Sequence, residues 1–308
     1  MNSVKLGLIG AGRWGARYIA TLRTLPGVRL ACVASRNPAT TALLPPGCAL
    51  STDWRELCRD AALDGVIVAT PPALHAEMAL AAMRAGRTVL IEKPLTLSAA
   101  EARDLRDEAA RLGALVLVGH THLYSAAYRE LRRVGATLGA LQRMDAEGGS
   151  RGPVRPDVSA LWDYGPHDLA MALDLAGAEI SSLRAWREAR ELSGGETVAI
   201  RLGFANGVEA AIRVSNIAAG KLRRFTATFE RGTLVYDDLA SVRLVLHADG
   251  AQSPVALEGS LPLANAVLAF RDAIAAKRRA DSGLDLGVRV VEALESCTAA
   301  LTAAEAAA

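Results

Sequence analysis

Val4-Lys5-Leu6-Gly7-Leu8-Ile9-Gly10-Ala11-Gly12-Arg13-Trp14-Gly15 decides how the rest of this chain is read. Val4 to Ile9 has the composition of a buried parallel strand. Glycines follow at 10, 12 and 15, and Ala16 to Leu25 carries helical spacing until Pro26-Gly27 breaks it. A strand, a glycine turn and a helix in that order open a Rossmann-type parallel sheet. In such a unit Gly10 makes the tight turn, Gly12 lets the backbone approach a pyrophosphate, and Gly15 lets helix and strand pack closely. The helix N-terminus then faces the anion. Gly10, Gly12, Arg13, Trp14 and Gly15 are therefore expected to hold a dinucleotide.

The next strand, Val28 to Ala34, ends at Ser35-Arg36-Asn37, about where an NAD site would place an acid on the adenosine ribose. An aspartate there repels a ribose 2′-phosphate. At roughly 4 Å and an effective dielectric near 20, each charge pair is worth about 4 kcal/mol before screening. Ser35 can instead donate to that phosphate, and Arg36 can pair with it or lie over the adenine. NADP is favoured over NAD on this reading. The alternative is that Arg36 is a solvated turn residue and the site accepts both.

Asp53 to Asp60 reads as a short helix, and Gly65 to Ala69 as another buried strand, leaving through Thr70-Pro71-Pro72-Ala73-Leu74-His75. A helix from about Ala73 to Ala85 stops at Gly86. Thr70, Pro71 and His75 then lie at the carboxyl edge of the sheet, beside the nicotinamide end of a bound cofactor. The strand Thr88-Val89-Leu90-Ile91 ends in Glu92-Lys93-Pro94-Leu95. A lysine at such a strand end sits where open α/β sheets collect ligands, and Pro94 pushes it out of the helical region. Ser98 and Glu101 have capping-box spacing for a helix to Leu112. Ala114 to Val118 is the last strand, closing a dinucleotide-binding domain at residue 119.

With 308 residues the chain can bury a sizeable core and has length for two domains. Cys32, Cys48, Cys58 and Cys297 show no paired spacing, which suits a reducing, cytoplasmic setting. No apolar run reaches membrane-spanning length, so no membrane association is expected. A net charge of +2, with arginines scattered among acids, argues against a nucleic-acid partner.

Gly10-Ala11-Gly12-Arg13-Trp14-Gly15, Ala69-Thr70-Pro71-Pro72 with His75, and Glu92-Lys93-Pro94, taken together and in this order, resemble the NAD(P)-dependent sugar oxidoreductases typified by glucose-fructose oxidoreductase and inositol 2-dehydrogenase. The resemblance implies that Lys93 contacts the nicotinamide ribose and the substrate hydroxyl, and that Glu92 supports the cofactor side. It also implies a second, α+β domain over residues 120–308, serving substrate binding and oligomerisation through a mostly antiparallel, open-faced sheet.

The reading of that domain rests on Leu161-Trp162-Asp163-Tyr164-Gly165-Pro166-His167-Asp168. Family members carry an aspartate and a histidine four apart on a helix, and Asp163 and His167 match. That spacing puts both on one helical face, and Pro166 is expected in the first turn. Hydride can leave a carbinol carbon only as its hydroxyl proton is taken, and an imidazole titrates near working pH. His167 is accordingly the expected general base, Lys93 the cation polarising the same oxygen in a cleft between the domains, and Asp163 an orienting or substrate-binding carboxylate. Tyr164 is a rival acid/base.

His120 and His122 are expected to line the site; without a third ligand they do not suggest a metal. Gly148 to Pro156 reads as a loop whose Arg151 and Arg155 either clamp an anionic substrate group or are solvated. A helix is expected over Ser125 to Arg133. Strands are expected over Ser182 to Glu188, Thr197 to Phe204, Val208 to Val214, Phe225 to Phe229, Thr233 to Tyr236 and Val242 to Leu246, with helices over Val267 to Arg278 and Val288 to Ala308. An apolar open face implies a homodimer or homotetramer. A non-catalytic dinucleotide-binding regulator of the same fold is the alternative to an enzyme. The Asp163-to-His167 motif suits free sugars, inositols and nucleotide-linked sugars alike.

Overall fold

The chain divides by its packing into two units, Met1–Thr121 with Ser260–Val291 and His122–Gly259 with Glu292–Ala308. The structure, a computed structural model, describes residues 3–152, 154, 158–259, 261–276 and 283–306. Pro153, Arg155 and Pro156 of the expected loop lie outside the described residues, as do the ends of the last two expected helices at Arg278 and Ala308.

The first unit alternates strands and helices: β1 (Val4–Ile9), α1 (Arg13–Leu22), β2 (Val28–Ala34), β3 (Ala49–Ser51), α2 (Trp54–Arg59), β4 (Gly65–Val68), α3 (His75–Arg84), β5 (Thr88–Glu92), α4 (Ala99–Leu112) and β6 (Val116–Gly119). The strands pair in parallel in the order β3-β2-β1-β4-β5-β6. Leu6, Leu8, Val33, Ile67 and Leu90 are fully buried between the helical layers, which is why these strands read as unbroken apolar runs. Ser98 caps α4 by accepting from the Glu101 amide at 3.5 Å, and Gly113, at φ +62°, ends it. α3 begins later than its sequence pattern suggests, because Pro72–Leu74 first make a short 3₁₀ turn.

The second unit begins with α5 (Ala126–Gly135). Then come β7 (Leu141–Gly149), α6 (Ala160–Ala176), β8 (Ile180–Arg190), β9 (Glu196–Phe204), β10 (Glu209–Ser215), β11 (Leu222–Phe229), β12 (Gly232–Asp237), β13 (Leu244–Ala248) and β14 (Ala251–Pro254). They form one eight-stranded sheet ordered β14-β13-β12-β11-β7-β10-β9-β8. Only β7 and β10 pair in parallel. β7 went unread in the sequence although it lies mid-sheet. Its inward residues, Met144, Ala146 and Gly148, are mostly small, and Arg143, Asp145 and Glu147 between them suggest a surface segment. Gly148 and Gly149, expected in a loop, end this strand.

Two helices close the chain. α7 (Pro262–Ala275) falls in the part of the sequence read as second domain, but it packs on the first unit. Phe270 and Ile274 fill the space over Gly65, where a Cβ would come within 2.9 and 2.8 Å of them. α8 (Gly283–Ala306) crosses the division between Val291 and Glu292. No helix among the described residues is long and apolar enough to cross a membrane.

Pro166 is not in the first turn of its helix. Ser159 caps α6 through the Trp162 amide, so the helix starts at Ala160 and Pro166 falls in its second turn. There its missing N–H leaves the Trp162 carbonyl without the usual intrahelical donor. Gly165 beside it lets α8 approach: a Cβ would lie 3.2 Å from Leu294.

Candidate active site

In the first unit the expected cofactor residues gather along one edge of the sheet. Ser35 follows β2, Gly10 follows β1, Thr70 lies just past β4 and Lys93 follows β5, in the spatial order of the strands. Between β1 and β4 the strand order reverses, the switch point at which such sheets bind ligands.

The glycines divide by what excludes a side chain. Gly10 has φ +96°, and a Cβ there would meet the Ala69 carbonyl oxygen at 2.7 Å. A Cβ on Gly15 would lie 2.1 Å from the Gly10 carbonyl oxygen. These two are demanded by the protein's own packing. Gly12 is different, because a Cβ there meets nothing within 4 Å. The first turn of α1, which starts beyond it, has neither a side-chain cap nor an acidic residue, so its amides point outward unpaired by side chains. Open space beside uncapped amides fits a pyrophosphate. Arg13 is exposed, and Trp14 is half-buried with the Arg17 guanidinium 4.8 Å from its ring centre.

Ser35 is half-buried; its oxygen accepts from the Asn37 amide at 3.2 Å and from the Thr40 hydroxyl at 2.9 Å. Its own proton remains available to an acceptor. Arg36 is exposed and pairs with no carboxylate among the described residues. The pair thus offers one directed donor and one uncommitted cation.

His75, expected to touch the cofactor, is fully buried. Its Nδ1 lies 2.9 Å from the Pro94 carbonyl oxygen and its Nε2 2.9 Å from that of Thr70. The ring clasps the exit loop of β4 to the turn after Lys93, and it can influence a cofactor only through those two segments. Burial pushes its pKa down. The carbonyls of Thr70, Pro94 and Leu95 pull it back, and Lys93 adds to the lowering. Pro71 is exposed beside it, and Thr70 is half-buried.

Glu92 is also buried, facing inward. The Tyr18 hydroxyl donates to its Oε1 at 2.7 Å and the Lys93 amide to its Oε2 at 3.1 Å. Burial raises its pKa, while Tyr18 and Lys93 oppose the rise. Lys93 itself is half-buried, and its peptide bond to Pro94 is cis. His120, one strand over at the end of β6, is 2 % exposed, with no hydrogen-bond partner for either ring nitrogen among the described residues. Burial, with Lys93 adding, holds its pKa down at about 3.

In the second unit α6 carries Asp163, Tyr164 and His167. Asp163 and Tyr164 are half-buried and His167 is buried. Tyr164 shares a 2.8 Å hydrogen bond with Ser150, just past β7. The His167 ring stacks on that of His122, centres 4.2 Å apart and planes 19° from parallel. Arg223 on β11 donates from Nη1 to His122 Nε2 at 3.1 Å and lies 3.6 Å from Asp238. Asp168 is buried opposite Gly148, where a Cβ would come within 2.4 Å of its carboxylate. Burial pushes the Asp168 pKa up to about 7 against the pull of Arg223. Arg151, read as either an anion clamp or a solvated loop residue, is exposed and paired with Glu191 at 3.1 Å.

Tyr18, Asp168, Ser150 and Arg223 were not singled out in the sequence. Tyr18 sits on an apolar helical face and reads as core, Asp168 is masked by the motif it follows, and Ser150 falls in a stretch read as loop. Arg223 has no local signal.

Residues 4–120 match the family model described as an oxidoreductase family with an NAD-binding Rossmann fold. Residues 127–235 match the GFO/IDH/MocA C-terminal domain. A protein of Magnetospirillum magnetotacticum MS-1, described provisionally as an oxidoreductase, is 42% identical in a solved structure. The match covers 96% of this chain and 100% of that one, with a TM-score of 0.90. The chain belongs to the GFO/IDH/MocA family.

Other members of the GFO/IDH/MocA family carry named activities. UDP-N-acetylglucosamine 3-dehydrogenase of Acidithiobacillus ferrooxidans is 29% identical over 90% of this chain and 87% of its own length. Its solved structure, 28% identical in the structural match, covers 98% of this chain and 99% of that one with a TM-score of 0.87. Inositol 2-dehydrogenase 2 of Saccharopolyspora erythraea is 35% identical over 58% of this chain and 55% of its own. The chain spans about half the length of several curated relatives that it matches.

Proposed function

We propose that this GFO/IDH/MocA member is an NAD(P)-dependent oxidoreductase moving hydride between nicotinamide and a carbinol or keto carbon of a sugar, sugar derivative or inositol. The observation that carries the reading is the sheet edge of the first unit, where the open glycine turn and Lys93 occur together. A regulator needs the turn alone. Gly10, Gly12, Arg13, Trp14 and Gly15 would hold the pyrophosphate end, and Ser35 with Arg36 favour the 2′-phosphate of NADP. The bound cofactor supplies the hydride acceptor or donor.

The ammonium of Lys93 donates to the carbinol oxygen and stabilises the negative charge that grows there as its proton leaves. The imidazole of His167 takes that proton in oxidation and returns it in reduction. Asp163 orients the substrate by accepting from a neighbouring hydroxyl, and Tyr164, tied to Ser150, is the rival proton donor. Four free cysteines and the lack of a long apolar helix among the described residues fit a cytoplasmic enzyme. We infer further a homodimer or homotetramer through the second sheet, whose other face carries α5 and α6; light scattering tests it.

The decisive experiment measures NADPH and NADH binding by fluorescence and turnover at ~340 nm across free and nucleotide-linked keto- and hydroxy-sugars. Lys93→Ala and His167→Ala should each lower turnover at least about a hundredfold, the scale of a lost general acid or base, with cofactor affinity little changed. Tight cofactor binding without turnover of any sugar would sink the reading. Normal turnover in the His167 variant would pass the base role to Tyr164.

A further inference from the structure

His122 and Arg223 have no part in the activity proposed above, yet His122 is stacked on His167 and Arg223 is bonded to His122. A guanidinium has only donors, so the 3.1 Å contact from Arg223 Nη1 makes His122 Nε2 an acceptor and puts the ring's proton on Nδ1. An imidazole held this way cannot take a second proton without losing that bond and setting a cation against a cation. Its flat face lies against His167, 4.2 Å away and near parallel.

We propose that Arg223 and His122 are positioning residues that fix the plane of His167 and keep a permanently neutral ring against it, so that His167 remains the proton acceptor near neutral pH. The proposal rests on the reading of His167 as the base. Were His122 free to protonate, His167 would share its stacking face with a titrating charge. Arg223 points inward from β11, opposite Gly148 of β7, where the missing Cβ leaves room for Asp168. Arg223 faces Asp238 beyond β12 at 3.6 Å and acts on Asp168, which follows His167 on α6, where Asp163 stands four residues before His167. Asp238 neutralises part of the Arg223 charge. Asp168, with a pKa near 7, gains its negative charge over the same range and opposes Arg223 in setting the field at His167.

Histidine-labelled protein tests this without any substrate, since the chain has five histidines and His122→Phe and His167→Gln spectra assign the two in question. In the native protein the nitrogen shifts of His122 should report the Nδ1–H tautomer and stay constant over about pH 5.5–8.5, where a free imidazole titrates. In Arg223→Gln, His122 should begin to titrate and the His167 midpoint should move by about one pH unit. Turnover gives the second readout: His122→Ala should lower kcat about tenfold or more with KM little changed, and His122→Phe, which keeps a ring on His167, should recover most of it. A His122 that titrates normally in the native protein overturns the proposal, as do Phe and Ala variants with equal kcat. If the tautomer and titration results hold while no sugar is turned over, the assignment of His167 as base fails and the positioning of its ring by His122 and Arg223 stands.

Discussion

The buried hydroxyl of Tyr18 donates to Glu92 at 2.7 Å, tying the helix of the glycine turn to the residue before Lys93. The second oxygen of Glu92 takes the Lys93 amide. Both oxygens of the carboxyl group are thus used within the first unit, and the parts expected to hold the two ends of a dinucleotide are joined through one buried side chain.

Tyr18→Phe should destabilise the chain by about 1–3 kcal/mol, because a buried carboxyl group loses its side-chain donor. Glu92→Gln keeps an acceptor for the same hydroxyl but turns an NH2 donor towards the Lys93 amide, and should cost a similar amount. Urea denaturation of both variants decides it. A Tyr18→Phe protein as stable as the native one would show that the bond contributes no net stability.

Gly12→Ala should fold normally and fail to bind a dinucleotide, since its Cβ meets no protein atom and would fill the space left for the pyrophosphate. Gly15→Ala should instead unfold at lower temperature, because its Cβ collides with the Gly10 carbonyl. Thermal melts alongside NADPH fluorescence titration separate the two effects. A Gly12→Ala variant that binds with native affinity would remove this turn from the cofactor site.

Ser35→Asp should weaken NADPH binding at least about tenfold, or about 1.4 kcal/mol, while leaving NADH binding equal or improved. The new carboxylate would repel the 2′-phosphate and accept from the ribose hydroxyls. Equal losses for the two cofactors would mean that the end of β2 does not read the 2′ position.

Asp168 makes stability depend on pH in the sense opposite to a salt-bridged acid. Its folded pKa, about 7, lies above the ordinary aspartate value of 3.8, so its contribution is fully present below about pH 4 and is lost as pH rises towards 7. The loss amounts to a few kcal/mol at most. Asp168→Asn should therefore gain stability relative to the native protein as pH is raised from about 4 to about 8, read from denaturation midpoints. A relative loss over that range would show that the native site favours the carboxylate.

The sequence by itself determined whatever depends on neighbours in the chain. Apolar runs of strand length, glycines at 10, 12 and 15, and Ser98 capping α4 are local patterns, and each appears where it was read. The i to i+4 spacing of Asp163 and His167 put them on one helix for the same reason. The central place of β7 was hidden because a strand built from small and charged residues gains its burial from its partners, and its own composition does not announce it. The return of α7 to the first unit depends on Phe270 meeting a glycine at 65. Tyr18 reaches Glu92 across 74 positions, and Arg223 reaches His122 across 101. Such contacts carry no spacing to read: they exist because a packed interior must satisfy each buried polar atom with whatever the fold brings beside it, and only the tertiary structure decides what that is.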